Sequence, residues 1–204
     1  MDNREQANEI LECLYEISTL TKFPRTGWIL AGVRDPESVS DHCFETALLA
    51  YMLSRKIDYR FDIGKMMTMA LFHEIGETRL TDMPRRAKPY IKEFKKKAEK
   101  SILFDVMGSF AENVNSILSE FEEKETPEAK LVEAAEELQI IFRSLLYAKE
   151  NNGDMSEYRE DVAKYSSEGF DIAQDIAAVI GEKLDKYLNG KEYWEIGYKR
   201  QGGK

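Results

Sequence analysis

Apolar residues along this chain recur every three or four positions, and almost no stretch keeps the two-residue rhythm of a strand. Ile10, Leu11, Leu14, Ile17 and Leu20 outline a first amphipathic helix. An irregular connection from Thr21 to Ser38 follows, holding Pro24, Gly27, Gly32 and Pro36. Loops of that length inside a compact domain are often functional. Ser38 or Ser40 caps the next helix, whose first turn carries His42 ahead of Ala47, Leu48, Tyr51 and Leu53. Asp62 caps a third helix, from Ile63 to about Gly76, with Gly76 supplying the break. Pro84 and Pro89 bracket a short piece; a lysine-rich helix starts near Ile91, and another covers about Ser109 to Glu123. Thr126-Pro127-Glu128 is a strong helix start: a cap, a proline at the first position and an acid at the positive end of the dipole. That helix runs to about Glu150, Asn152-Gly153 ends it, and a last helix takes about Ser167 to Leu188 before a polar tail, 189–204. No repeat, low-complexity tract or domain boundary interrupts the series. The expected fold is all-α, a single domain over residues 1–204 with its motif-bearing part at about 11–148.

A chain of 204 residues is long enough for one sizeable core. Its net charge of −9 argues against a general binder of nucleic-acid polymers or membrane surfaces, because both need a basic face. No apolar run approaches the ~20 residues that cross a bilayer. The N-terminal MDNREQANEI lacks the basic-then-apolar order of a secretory signal. Cys13 and Cys43 form no metal or redox spacing. A reduced, cytoplasmic setting is expected.

The candidate chemistry lies in MALFHEIGETRLTDMP, Met69 to Pro84, where an apolar helical turn becomes a polar loop. His73, Glu74 and Glu77 stand at the changeover, and Asp82 follows. The chain has two histidines; the other, His42, also stands beside an acid at a helix start. Two such histidines suggest a metal centre assembled from separate helices, although a histidine next to an acid is also a common surface pair. Nitrogen and carboxylate donors together suit Mn, Co, Fe, Ni or Zn. Neighbours on a helix point about 100° apart, so His73 and Glu74 share one ion only near a helix end or in a tight cavity. Glu77, one turn after His73, is placed to act as acid or base beside the ion. The zincin pattern H-E-x-x-H is excluded by Glu77. The Glu-x-x-His pairs of di-iron bundles are excluded by Val39 and Ala70.

In order and spacing, PRTGWIL, PESVSDH, ALFHEIGET, TDMP and TPEAKLVEAAEEL resemble the HD-domain metal-dependent phosphohydrolases. The similar branch is that of the YfbR-type and eukaryotic HD-domain-containing 5'-deoxynucleotidases, over about Leu11 to Ala148. The resemblance implies an HD-domain helical bundle holding one divalent metal through a His, a His-Asp doublet and a distant Asp. On this chain those positions are His42, His73, Glu74 and Glu136. Both carboxylates are thus Glu in place of Asp, each with one more C–C bond, roughly 1.5 Å of reach. Helical phase leaves Glu136 open. The main stripe of its helix is Leu131, Ala135, Leu138, Phe142 and Leu145, and Glu136 lies nearly opposite. Val132 and Ile140 flank that second side, which predicts a helix buried on both faces, and Glu133 and Glu137 remain rivals.

By the same resemblance, Glu77 helps protonate the leaving oxygen or orients water, and Asp82 is a further acid near the substrate. Arg25 and Trp28 contact phosphate and sugar, with Arg34 an alternative for the phosphate; Trp28 reads equally as a core aromatic. The run Lys95-Lys96-Lys97 reads as a solvated helix face. The implied activity is removal of phosphate from deoxyribonucleoside 5'-monophosphates. Alternatives are a phosphodiesterase or alarmone hydrolase on the same scaffold, or a binding module with weakened activity. A homodimer is also implied. Ile176, Val179, Ile180, Leu184 and Leu188 form an apolar face that either a two-fold partner or the chain's own core has to bury.

Overall fold

Side-chain caps begin the principal helices where the sequence offers them. Asp2 accepts the Arg4 and Glu5 amides at the start of α1 (Asn3–Ile17). α2 (Thr26–Leu30) comes next, and then Ser38 and Asp41 close a reciprocal box at the start of α3 (Val39–Ser54). Asp62 accepts the Lys65 amide to open α4 (Ile63–Phe72). After α5 (Glu77–Leu80), α6 (Lys88–Met107) and α7 (Ala111–Glu123), Thr126 accepts the Ala129 amide ahead of Pro127 to start α8 (Pro127–Lys149). α9 (Tyr158–Lys164) and α10 (Asp171–Leu188) complete the order. This computed structural model describes residues 2–189. Among the described residues the extended pairing is one antiparallel bridge, Pro24 to Ser38, so the all-α expectation holds.

α8 is the central element. It packs most extensively on α3 and α10, then on α4 and α7. Leu131, Val132, Ala135 and Leu138 are all fully buried, so α8 is covered on both faces, as its pattern predicts. Met66 and Met69 of α4 are equally buried in the same core, and side chains of this size each contribute roughly 1.5–3 kcal/mol. α10 closes the other flank with Ala173, Ala177, Ile180 and Leu184. A second cluster joins α6 (Ile102, Leu103, Val106, Met107) to α7 (Ala111, Val114) and Ile75.

Several elements depart from the expected boundaries. The connection from Thr21 to Ser38 contains α2, because Trp28 is drawn into the core. α4 stops at Phe72 with His73 as its C-terminal cap residue, so Gly76 is not what breaks it. Gly76 has an ordinary helical φ of −61°. A Cβ there would lie 2.5 Å from Glu99 Cγ and 3.2 Å from Glu99 Cα, so its role is the close approach of α6. α9 carries no strong sequence signal and forms where Tyr158 packs on the Trp28 ring, 4.5 Å between centroids. Of the C-terminal stripe, Ile180 and Leu184 are buried in the chain's own core, Ile176 and Leu188 pack against it, and Val179 stays 49% exposed. The apolar face of α1 goes the other way: Ile10, Leu11 and Leu14 stand about half exposed. The tail expected at 189–204 lies, after Asn189, outside the described residues. Among the described residues no helix is long and apolar enough to cross a membrane.

Gly76→Ala is expected to lower the unfolding free energy by about 1–3 kcal/mol, the usual cost of overpacking. Urea titration followed by helical circular dichroism checks this; an unshifted midpoint would mean that α6 yields freely.

Candidate metal centre and active site

The Ser38 cap fixes where α3 begins, and one turn in it places His42, which is fully buried. His73 ends α4, where its Nδ1 donates to the carbonyl of Ala70 at 3.0 Å. The two Nε2 atoms face each other at 3.3 Å. Glu74 follows in the turn after α4, and Glu136 projects from the middle of α8. One ligand atom from each of His42, His73, Glu74 and Glu136 lies within 4.8 Å of all the others. Glu133 instead pairs with Lys124, and Glu137 is exposed. The donor set fits a divalent transition ion. Two imidazole nitrogens bound to one such ion at about 2.0–2.1 Å sit roughly 3–3.4 Å apart, which is the spacing found here.

Around this cluster the charges are dense and buried. Arg25 places Nη1 2.7 Å from Glu74 Oε1 and 3.3 Å from Asp82 Oδ1. Burial alone would raise the Glu74 carboxyl, but Arg25, His73 and His42 outweigh it and hold the group well below the usual carboxylate range. For Arg25, burial acts to lower the guanidinium, and Glu74 and Asp82 more than reverse it. Burial, with Arg25 and His73 nearby, holds the His42 imidazole well below its ordinary value. Glu77 is 2% exposed, and burial, with Glu74 and Asp82 adding to it, pushes its carboxyl up to about 9. Its Oε1 lies 3.5 Å from Lys95 Nζ, while Oε2 has no hydrogen-bond partner among the described residues. Lys95 therefore turns inward, also meeting Glu99 at 3.2 Å, which corrects the reading of its run as a solvated face. Lys96 does keep to the surface, paired with Glu122.

The remaining candidates divide. Asp82 Oδ2 accepts from both the amide and the hydroxyl of Thr26, so with Arg25 on Oδ1 its oxygens hold the loop that carries Arg25. Trp28 is 3% exposed, its N–H donates to Glu37 Oε1 at 2.6 Å, and its ring packs on Tyr147 and Tyr158. It is a core aromatic here, with no polar atom left for a sugar. Arg34 is exposed, and its backbone exchanges hydrogen bonds with the Asn152 side chain. Arg25 is thus the loop arginine that reaches the cluster. The sequence reading missed Glu37, Glu45, Gln139 and Arg143, which form a network behind His42 in which Glu37 and Gln139 are buried and Glu45 and Arg143 half-buried. A signal for part of it existed: Glu136, Gln139 and Arg143 repeat at helical spacing within a helix expected to be apolar on both sides.

The HD-domain family model matches residues 17–177. The chain belongs to the HD-domain family. Among curated relatives, the 5'-deoxynucleotidase HDDC2 of Dictyostelium discoideum is 31% identical over 140 residues, 64% of this chain and 73% of that protein. Its human counterpart is 28% identical over 145 residues, 69% of each chain. The crystal structure of a Pyrococcus horikoshii protein superposes with a TM-score of 0.73 at 29% identity, covering 85% of this chain and 99% of the other.

Titration with Co²⁺ is expected to find one site per chain, lost in His42→Ala, His73→Ala and Glu136→Ala and kept in Glu133→Ala and Glu137→Ala. Calorimetry together with elemental analysis reads this out. Binding that survives Glu136→Ala and disappears with either rival would move the fourth ligand along α8.

Proposed function

We propose that this chain is a metal-dependent phosphomonoester hydrolase that removes the 5'-phosphate from deoxyribonucleoside monophosphates. The observation that carries the reading is the convergence of His42, His73, Glu74 and Glu136 beside Arg25 and Glu77. Membership of the HD-domain family and the activity named for the relatives from Dictyostelium and human supply the substrate class.

His42, His73, Glu74 and Glu136 would hold one divalent ion of the Mn, Co, Fe, Ni or Zn group. When bound, such an ion supplies positive charge to the phosphoryl oxygens and makes water a stronger acid near neutral pH. Arg25 binds a second phosphate edge, since its planar fork matches phosphate oxygens as it matches the carboxylates of Glu74 and Asp82. Lys95 adds a further cation from α6. Glu77 is buried and holds its proton at Oε2, the atom with no partner among the described residues, and passes it to the departing sugar oxygen. Asp82 acts through Thr26 and Arg25 by fixing the loop, so its role is positional.

The motif-bearing helices and α10 share one core, which supports reading the described part of the expected 1–204 domain as one HD unit. Cys13 and Cys43 are free and buried, in keeping with a cytoplasmic setting. A homodimer accords with two exposed apolar stripes, Ile10 and Leu14 on α1 and Phe44, Leu48 and Met52 on α3. Such faces are commonly covered by two-fold pairing. Sedimentation equilibrium is expected to give twice the monomer mass at micromolar protein. Leu14→Glu combined with Leu48→Glu should shift it to the monomer, and a wild-type monomer would end the dimer reading.

Phosphate release should be measured across nucleoside monophosphates, cyclic diesters and polyphosphorylated nucleotides with each divalent metal. Deoxyribonucleoside 5'-monophosphates are expected to turn over fastest. Glu77→Gln should lower turnover by about 10²- to 10⁴-fold with Co²⁺ still bound. Release from diesters alone, or full turnover by Glu77→Gln, would overturn the substrate class or the proton role respectively.

A further inference from the structure

Behind His42 lies a side-chain amide whose orientation is fully determined by its neighbours. Gln139 of α8 is completely buried. Its Nε2 donates to Glu37 Oε2 at 2.7 Å and to Glu45 Oε2 at 2.9 Å, and its Oε1 lies 2.7 Å from His42 Nδ1. An amide's oxygen and nitrogen are assigned from such a network, so the reverse placement has to be tested against it. Reversed, the amide oxygen would face two carboxylates, which only accept when ionised. Burial raises the Glu37 carboxyl above its ordinary value. Even so, a reversed amide oxygen would need a proton from both Glu37 Oε2 and Glu45 Oε2, and Arg143 pairs with both carboxylates, with Glu37 through that same oxygen at 3.0 Å. The amide is therefore pinned with its oxygen toward the imidazole.

An acceptor at Nδ1 requires a proton on Nδ1, and in a neutral ring that leaves the lone pair on Nε2. Nε2 is the atom that faces His73 across the cluster. His73 reaches the same state by a different device, a backbone carbonyl that cannot turn around. We infer that Gln139, pinned by Glu37 and Glu45, is the positioning residue that fixes His42 in its Nδ1–H tautomer and thereby makes Nε2 the atom offered to the ion. The link to the ion rests on the metal assignment made above; the tautomer itself does not.

Long-range ¹H–¹⁵N spectra of the full chain, freed of metal by chelation and held near pH 8, read both imidazoles directly, and the chain has two histidines. Both are expected as Nδ1–H in the wild type. Gln139→Met keeps the length and removes the acceptor. His42 should then move to Nε2–H or to a mixture, while His73, held by Ala70, stays Nδ1–H. Gln139→Glu, protonated among the other carboxylates, retains a carbonyl toward His42 and should restore the wild-type pattern. Co²⁺ affinity should fall on the order of 10- to 100-fold in Gln139→Met and recover in Gln139→Glu. His42 as Nε2–H in the wild type overturns the inference even if no variant folds, and so does an unchanged His42 in Gln139→Met. Loss of both signatures together would mark a structural collapse and reject a specific role for Gln139. Wild-type protein with the expected tautomers and no affinity for Co²⁺ overturns the metal assignment alone.

Discussion

The contact between His42 Nε2 and His73 Nε2, 3.3 Å apart, sets the terms for everything around it. Once each Nδ1 is engaged as a donor, the two Nε2 lone pairs repel unless a positive charge lies between them. A shared proton is a poor solution, because burial and the nearby Arg25 hold the His42 imidazole well below its ordinary value. A divalent ion is the better one, and Glu74 and Glu136 bring charge that matches it. The site depends on α3, α4 and α8 keeping their relative positions, since a shift of about an ångström moves a donor out of reach. The Ser38 cap and the packing of Gly76 against Glu99 are thus part of the site, although neither touches the cluster.

The second constraint is electrostatic. Buried charges are costly unless they are paired and hydrogen-bonded, and Arg25, Glu74, Asp82 and Lys95 are all largely removed from water. Each cation here meets two carboxylates: Arg25 lies between Glu74 and Asp82, Lys95 between Glu77 and Glu99. Both cations are therefore already arranged around paired oxygens, the geometry that a phosphate would share. In the proposed reaction a substrate phosphate would have to draw them partly away from those carboxylates. Asp82 would remain tied to Thr26 through its other oxygen during that exchange, so the loop carrying Arg25 stays anchored while its charge is shared.

Local chemistry was legible in the sequence wherever a single residue decides it. Ser38, Asp62 and Thr126 are caps because their oxygens reach the amides at the next helix start, which needs no tertiary information. The four-member cluster came from the motif resemblance, while helical phase left Glu136 and its rivals open; it took the fold to bring Glu136 to the cluster and Glu133 to Lys124. Trp28 was undecided because its fate depends on Tyr147 and Tyr158, far along the chain. Lys95 looks like its two neighbours in composition, and it enters the site only through the approach of α6 to Gly76. The solvent exposure of Leu14 and the burial of Leu184 show the same limit: periodicity finds an apolar face and leaves open what covers it.

α8 shows why packing and chemistry are inseparable in this molecule. A helix with Leu131, Val132, Ala135 and Leu138 buried is the core of the fold, yet Gln139 stands one turn after Glu136 in that interior. An unsatisfied amide there would cost about 1–3 kcal/mol. Gln139 is tolerated because its three contacts are made, two to carboxylates and one to an imidazole. Those carboxylates are in turn held by Arg143, one turn further along α8 and spanning Glu37 and Glu45. Glu136, Gln139 and Arg143 therefore form a polar seam in an apolar helix, Gln139 and Arg143 meeting the same two carboxylates and Glu136 facing the histidine cluster. Removing Gln139 would leave the His42 imidazole and the Glu37 and Glu45 carboxylates each short of one partner, so packing in this part of α8 and the aim of His42 depend on the same residue. A local rule broken in a core and fully compensated by its neighbours is the pattern expected where structure serves chemistry.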